Sequence, residues 1–120
     1  MVVASMGTPY EIDTDGKVLF LEDLGEPPYR IDRMLTQLVL AGKLASVRGV
    51  VLGSFEDCAP SEGGYTAAET LKEILVKLDV PILAEFPAGH GDSNWPIPLG
   101  VPVRLDAGRK EVQFLEPAVR

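Results

Sequence analysis

Residues 18–42 read VLFLEDLGEPPYRIDRMLTQLVLAG, and a change of apolar period inside this stretch decides the fold class. Val18-Leu19-Phe20-Leu21 is a short apolar run ending on a carboxylate, Glu22, which predicts a strand over Val18 to Glu22. From Ile31 the apolar residues Ile31, Met34, Leu35, Leu38 and Val39 recur at i, i+3, i+4, i+7 and i+8. That spacing is one stripe of an amphipathic helix, predicted over about Ile31 to Ala41. Pro27-Pro28 lies just upstream, where proline is tolerated before or within a first turn, and Gly42 is placed to stop the helix.

Outward from this unit the pattern repeats. A second helix is predicted from about Thr66 to Leu78. Thr66 and Glu69 form a capping box, Leu71, Ile74, Leu75 and Leu78 form the stripe, and Pro81 ends the segment. Further strands are predicted at Gly49 to Ser54, Ile82 to Phe86, Val101 to Leu105 and Glu111 to Leu115. The run Val50-Val51-Leu52 suits a strand covered on both faces. The last two strands flank Asp106-Ala107-Gly108-Arg109 and read as a hairpin. The order β-α-β-α-β followed by a hairpin predicts a single α/β domain over residues 1–120, with a mixed sheet, two helices and a C-terminal β-hairpin.

Composition narrows the function classes. The chain has 120 residues, 46% of them hydrophobic and 24% charged, as in a globular domain with one modest core. Eleven basic against eighteen acidic residues give a net charge of −7, with no basic cluster. Nucleic acid is therefore not an expected partner, since its binding draws on grouped Lys and Arg. A lone cysteine, Cys58, suits a reducing compartment. The start Met1-Val2-Val3-Ala4-Ser5-Met6 lacks the basic opening of a signal peptide, and no apolar run reaches membrane-spanning length. A cytoplasmic chain without membrane contact is the expectation.

Two loops stand apart, residues 22–30 and residues 87–96, and both follow strands, where α/β proteins build their sites. The second holds His90, the single histidine, bracketed by Gly89 and Gly91. Histidine is suited to moving protons near neutrality; a solvated loop histidine is the alternative. Glu22, at the end of its apolar strand, either points to solvent or is buried with a partner, and in a triad that partner would be the histidine. Asp23 and Glu26 compete with Glu22 for that role. Arg30, Asp32 and Arg33 open the first helix and suit ordinary surface ion pairing. Tyr29 and Trp95, one in each loop, could line a substrate pocket or pack an edge of the domain. None of Ser5, Ser46, Ser54, Ser61 and Ser93 sits in a Gly-x-Ser-x-Gly elbow. Cys58 follows Glu56 and Asp57, which disfavour a thiolate. With one histidine and one cysteine, neither a metal site nor a nucleophile is expected within this chain.

Several segments in order carry a resemblance. They are Gly7-Thr8-Pro9-Tyr10, Leu19-Phe20-Leu21-Glu22-Asp23, Glu26-Pro27-Pro28-Tyr29-Arg30-Ile31-Asp32-Arg33-Met34-Leu35 and Gly49-Val50-Val51-Leu52-Gly53. Gly89-His90-Gly91 follows, with Asn94 and Pro98-Leu99-Gly100 beyond it. Together they cover nearly the whole chain. The sequence resembles the C-terminal domain of the LD-carboxypeptidases, serine peptidases that include muramoyltetrapeptide carboxypeptidase and the microcin-immunity peptidases. The resemblance implies a swivelling β/β/α-type domain. It also implies that Glu22, rather than its two rivals, and His90 complete a Ser-His-Glu triad. The serine would come from an absent N-terminal domain. Beside that pair, Tyr29, Asn94 and Trp95 are expected, from their place in the two loops, to support the site or the substrate. The implied reaction releases terminal D-alanine from cytoplasmic murein tetrapeptides by cleaving an L,D-amide, with no cofactor and in an enzyme that often forms homodimers. The chain alone is expected to be inactive. Alternatives within reach are a microcin-immunity-type peptidase acting on nucleotide conjugates, and a non-catalytic peptide- or partner-binding domain.

Overall fold

The computed structural model describes residues 2–60 and 64–119. After a single 3-10 turn at Val3–Ser5, the chain forms β1 (Val18–Leu24), α1 (Pro28–Leu40), β2 (Gly49–Glu56), α2 (Ala67–Leu75), β3 (Ile82–Leu83), β4 (Val103–Asp106) and β5 (Glu111–Phe114). The α/β architecture with two helices and a terminal hairpin is the one read from the sequence. Its strands divide into a parallel sheet of order β1-β2-β3 and a separate antiparallel ladder, β4-β5. The helical links between successive parallel strands supply the crossovers that parallel pairing requires.

The helices begin and end for identifiable local reasons. α1 starts at Pro28, three residues before the predicted start, because proline at the first helical position is already set to helical φ and has no amide to leave unpaired. It stops at Gly42, whose φ of 72° lets the Lys43 amide reach Leu38 O (2.9 Å) and the Gly42 amide reach Val39 O (3.0 Å). Thr66 caps α2 in a complete capping box, its hydroxyl accepting from the Glu69 amide at 3.1 Å. That helix ends at Leu75, short of Leu78, as its last turn tightens to a bond from Leu78 N to Leu75 O. The termination therefore precedes Pro81.

The helices bury their stripes against one face of the sheet. Ile31, Leu35 and Leu38 of α1 and Leu71 and Leu75 of α2 pack with Leu19, Val50 and Leu52 in one core, completed by Leu44, Val47, Cys58 and Ala67. Val50 and Leu75 are the most deeply buried large side chains. The opposite face, presenting Val18, Phe20 and Val51, meets Val103, Val112 and Phe114 of the hairpin around a void of about 80 Å³. Gly49 lets the two layers approach closely here, since a Cβ on it would stand 2.7 Å from Leu105 Cδ2 and 3.1 Å from Pro81 O. Coverage on both faces explains the unbroken apolar run in β2. The N-terminal segment is tied down by Lys43, which pairs with Glu11 and donates to Ile12 O at 3.0 Å.

β3 is shorter than expected. Its pairing with β2 stops at Leu83, and Glu85 takes a φ of 59°, turning the chain toward β2. Contact persists by single bonds, from Phe86 N to Leu52 O and from Ser54 N to Ala88 O, both 2.9 Å. This bend carries the glycine-bracketed loop across the carboxyl ends of the strands. No helix among the described residues is long and apolar enough to cross a membrane.

Candidate active site

Glu22 and His90, 68 residues apart, meet where β1 ends. His90 Nδ1 lies 2.7 Å from Glu22 Oε2, within charge-assisted hydrogen-bond range. The carboxylate side chain is 25% exposed and the imidazole 54% exposed. Both line a cavity of about 340 Å³ walled by Phe20, Leu21, Leu24 and Met34. Nε2 of the ring has no hydrogen-bond partner among the described residues. With Glu22 accepting from Nδ1–H, the neutral ring keeps its lone pair on Nε2, free to act as a base.

The two rival carboxylates have other employment. Asp23 Oδ1 accepts from the amide of Leu24 at 2.9 Å, and Glu26 lies 3.4 Å from Arg30, an exposed i,i+4 pair worth little. Only Glu22 reaches the imidazole.

The loop that carries His90 is held at several points. Gly89 has a φ of 121°, and a Cβ there would stand 2.5 Å from Ser54 Oγ and 3.0 Å from Glu22 Oε2, so only glycine fits. Its amide donates to Asn94 Oδ1 at 3.3 Å, which places Asn94 in the support of the loop. Trp95 closes the loop through its amide, which donates to Pro87 O at 2.9 Å. Its ring meets Phe86 edge-on, centroids 6.4 Å apart. Tyr29 stands elsewhere: it lines a separate cavity of about 330 Å³ with Asp32, Tyr65 and Glu73, and its hydroxyl accepts from Arg30 Nε at 3.3 Å. Ser54, whose Oγ accepts from the Gly91 amide at 3.0 Å, carries no sequence signal for this place. Its place depends on an irregularity of strand pairing that residue order does not reveal.

No serine or cysteine among the described residues hydrogen-bonds the imidazole. Ser5 Oγ donates to Val2 O at 2.9 Å, and Ser54 faces the Gly91 amide; Ser61 lies outside the described residues. Cys58 is buried, its thiol turned to Glu56 O at 3.3 Å, and burial, with the Asp23 charge adding to it, pushes that thiol's pKa up. No group of His, Cys, Asp and Glu suited to a metal ion occurs among the described residues.

An α/β domain that brings a loop histidine to a carboxylate near the end of a parallel strand, with no serine or cysteine bonded to the ring among the described residues, has a pair seen in hydrolase sites. Residues 1–105 match the family described as the LD-carboxypeptidase C-terminal domain, and the chain belongs to that family. A Bacillus subtilis protein named "Probable murein peptide carboxypeptidase" is 36% identical over 112 residues, which are 92% of this chain and 35% of that protein. The murein tetrapeptide carboxypeptidase of Pseudomonas aeruginosa is 35% identical over 94 residues, 78% of this chain and 31% of that protein. The solved structure of the microcin C7 self-immunity protein MccF in complex with aspartyl sulfamoyl adenosine shares the fold. Its TM-score is 0.84 at 23% identity, covering 97% of this chain and 35% of that one. The chain thus spans about a third of the length of the curated relatives it matches.

Proposed function

We propose that this chain supplies the general base and the orienting acid of a serine LD-carboxypeptidase, and that the nucleophilic serine comes from polypeptide outside it. The 2.7 Å contact between His90 Nδ1 and Glu22 Oε2 carries the reading. A carboxylate in that position holds the ring in the Nδ1–H form and stabilises the imidazolium that follows proton uptake. In the proposed reaction, His90 Nε2 takes the serine hydroxyl proton as Oγ bonds to the carbonyl carbon of an L,D-amide. The imidazolium then returns that proton to the departing amine, terminal D-alanine leaves, and water hydrolyses the acyl-serine ester with His90 again as base. A murein tetrapeptide is the proposed substrate, in keeping with the names of the relatives.

The half exposure of His90 supports a nucleophile from elsewhere. A triad works best with water excluded, so a second surface would have to close over the imidazole. The test is D-alanine release by this chain joined to the serine-bearing region of a relative. His90→Ala and Glu22→Ala are each expected to lower turnover by about a thousandfold or more while leaving the circular dichroism spectrum unchanged. Near-wild-type turnover in either folded variant would refute the assignment of that residue.

A further inference from the structure

We infer that Ser54 is a positioning residue for the His90–Glu22 pair, gripping the loop on both sides of the imidazole; the inference deepens the peptidase reading and rests on it. The pairing of β1 with β2 is irregular at this point. Leu21 pairs with Leu52 and Asp23 with Phe55, so Gly53 and Ser54 together face the single residue Glu22. Bulges of this kind re-aim side chains and collect beside active sites. From the bulge, Ser54 bonds the histidine loop twice. Its amide donates to Ala88 O at 2.9 Å, and its Oγ accepts from the Gly91 amide at 3.0 Å. One residue therefore holds the chain two positions before and one position after His90.

The packing leaves the grip little slack. Gly53, on the same bulge, lies against Ala88 O and the Phe20 ring, where a Cβ would stand 2.8 Å from Phe20 Cζ. Ser54 Oγ and Glu22 Oε2 both crowd the point where a Cβ on Gly89 would be. The hydroxyl, the carboxylate and the Gly89 backbone thus meet with no room for another atom. The amide on the other side of the ring is held less firmly, by the exposed Asn94 at 3.3 Å. Ser54 makes no hydrogen bond to the imidazole, so it acts through the loop and takes no part in proton transfer.

The test uses the 120-residue chain, whose single histidine yields one set of ring-nitrogen signals in proton–nitrogen correlation spectra. Recorded where the ring is neutral, the wild type is expected to show the proton on Nδ1, and Glu22→Ala to lose that signature. Ser54→Ala is expected to shift the ring toward a mixture of tautomers and to speed exchange of the Gly91 amide by about tenfold, the worth of one hydrogen bond. Ser54→Thr, which keeps the acceptor oxygen, is expected to restore both. Thr66→Ala, a cap variant remote in function, is expected to lower thermal stability without touching the ring signals. Ring signals and Gly91 exchange unchanged in Ser54→Ala would overturn the inference and leave the peptidase reading standing. So would a change that Ser54→Thr does not restore, or an unprotected Gly91 amide in the wild type, which needs no variant to fold. A wild-type ring without the Nδ1 proton would instead remove the peptidase reading, and the inference with it.

Discussion

Between the Gly89 backbone and the Glu22 carboxylate there is no space for a methyl group, which makes this glycine a sensitive probe of the site. Gly89→Ala would put a Cβ 3.0 Å from Glu22 Oε2 and 2.5 Å from Ser54 Oγ, at a φ of 121° that side chains resist. The loop must shift, and displacements near 1 Å at a catalytic group can cost about a hundredfold in rate. We predict a loss of that order in D-alanine release by the joined enzyme, with thermal stability reduced far less; unchanged turnover would mean that the loop tolerates movement. At this scale the sequence was readable in part. His90 stood out as the lone histidine between glycines. The choice among Glu22, Asp23 and Glu26 was not decided by chemistry alone, because it depends on which side chains the pleat and the bulge turn toward the loop. In the structure Asp23 bonds the next amide and Glu26 pairs with Arg30, which leaves Glu22 for His90.

Elements that depend on short-range patterns were the legible ones. Both helices follow their apolar stripes, and the Thr66–Glu69 capping box is present as read. β3 was overextended because the positive φ of Glu85 carries no residue-type signal, glycine being the usual occupant of that region. The bulge at Gly53 and Ser54 was illegible for a similar reason: it is a property of the pairing and not of either strand. Two substitutions in α2 separate packing from capping. Leu75→Ala removes a side chain that is 1% exposed and is predicted to cost about 2–5 kcal/mol, whereas Thr66→Ala should cost about 1 kcal/mol. Denaturant melts distinguish them, and equal losses would contradict the core described above. The Glu69 carboxylate is held below its ordinary pKa by the Thr66 amide first and its hydroxyl second. Its contribution is therefore complete above the ordinary glutamate range and fades as pH falls through the lowered value. The gap between wild type and Thr66→Ala should narrow in acid without vanishing, since the Thr66 hydroxyl also accepts from the Glu69 amide.

The molecule as a whole has the proportions of a part. It buries one core, yet an apolar cavity of about 770 Å³ opens between α2 and the bend of residues 84–87, and it reaches the His90 loop at Gly91, Asp92 and Ser93. The imidazole itself is half exposed, and the chain spans about a third of its relatives' length. All three are what the proposed function expects, with base and orienting acid on this chain and the nucleophile on other polypeptide. The measurement that bears on this most directly is release of D-alanine from a murein tetrapeptide, followed with the 120-residue chain alone and with the chain joined to the serine-bearing region of a relative. No release above background is expected from the chain alone, and turnover that depends on His90 is expected once the serine is supplied. Release by the chain alone, or turnover in the joined enzyme that survives His90→Ala, would contradict the proposed function.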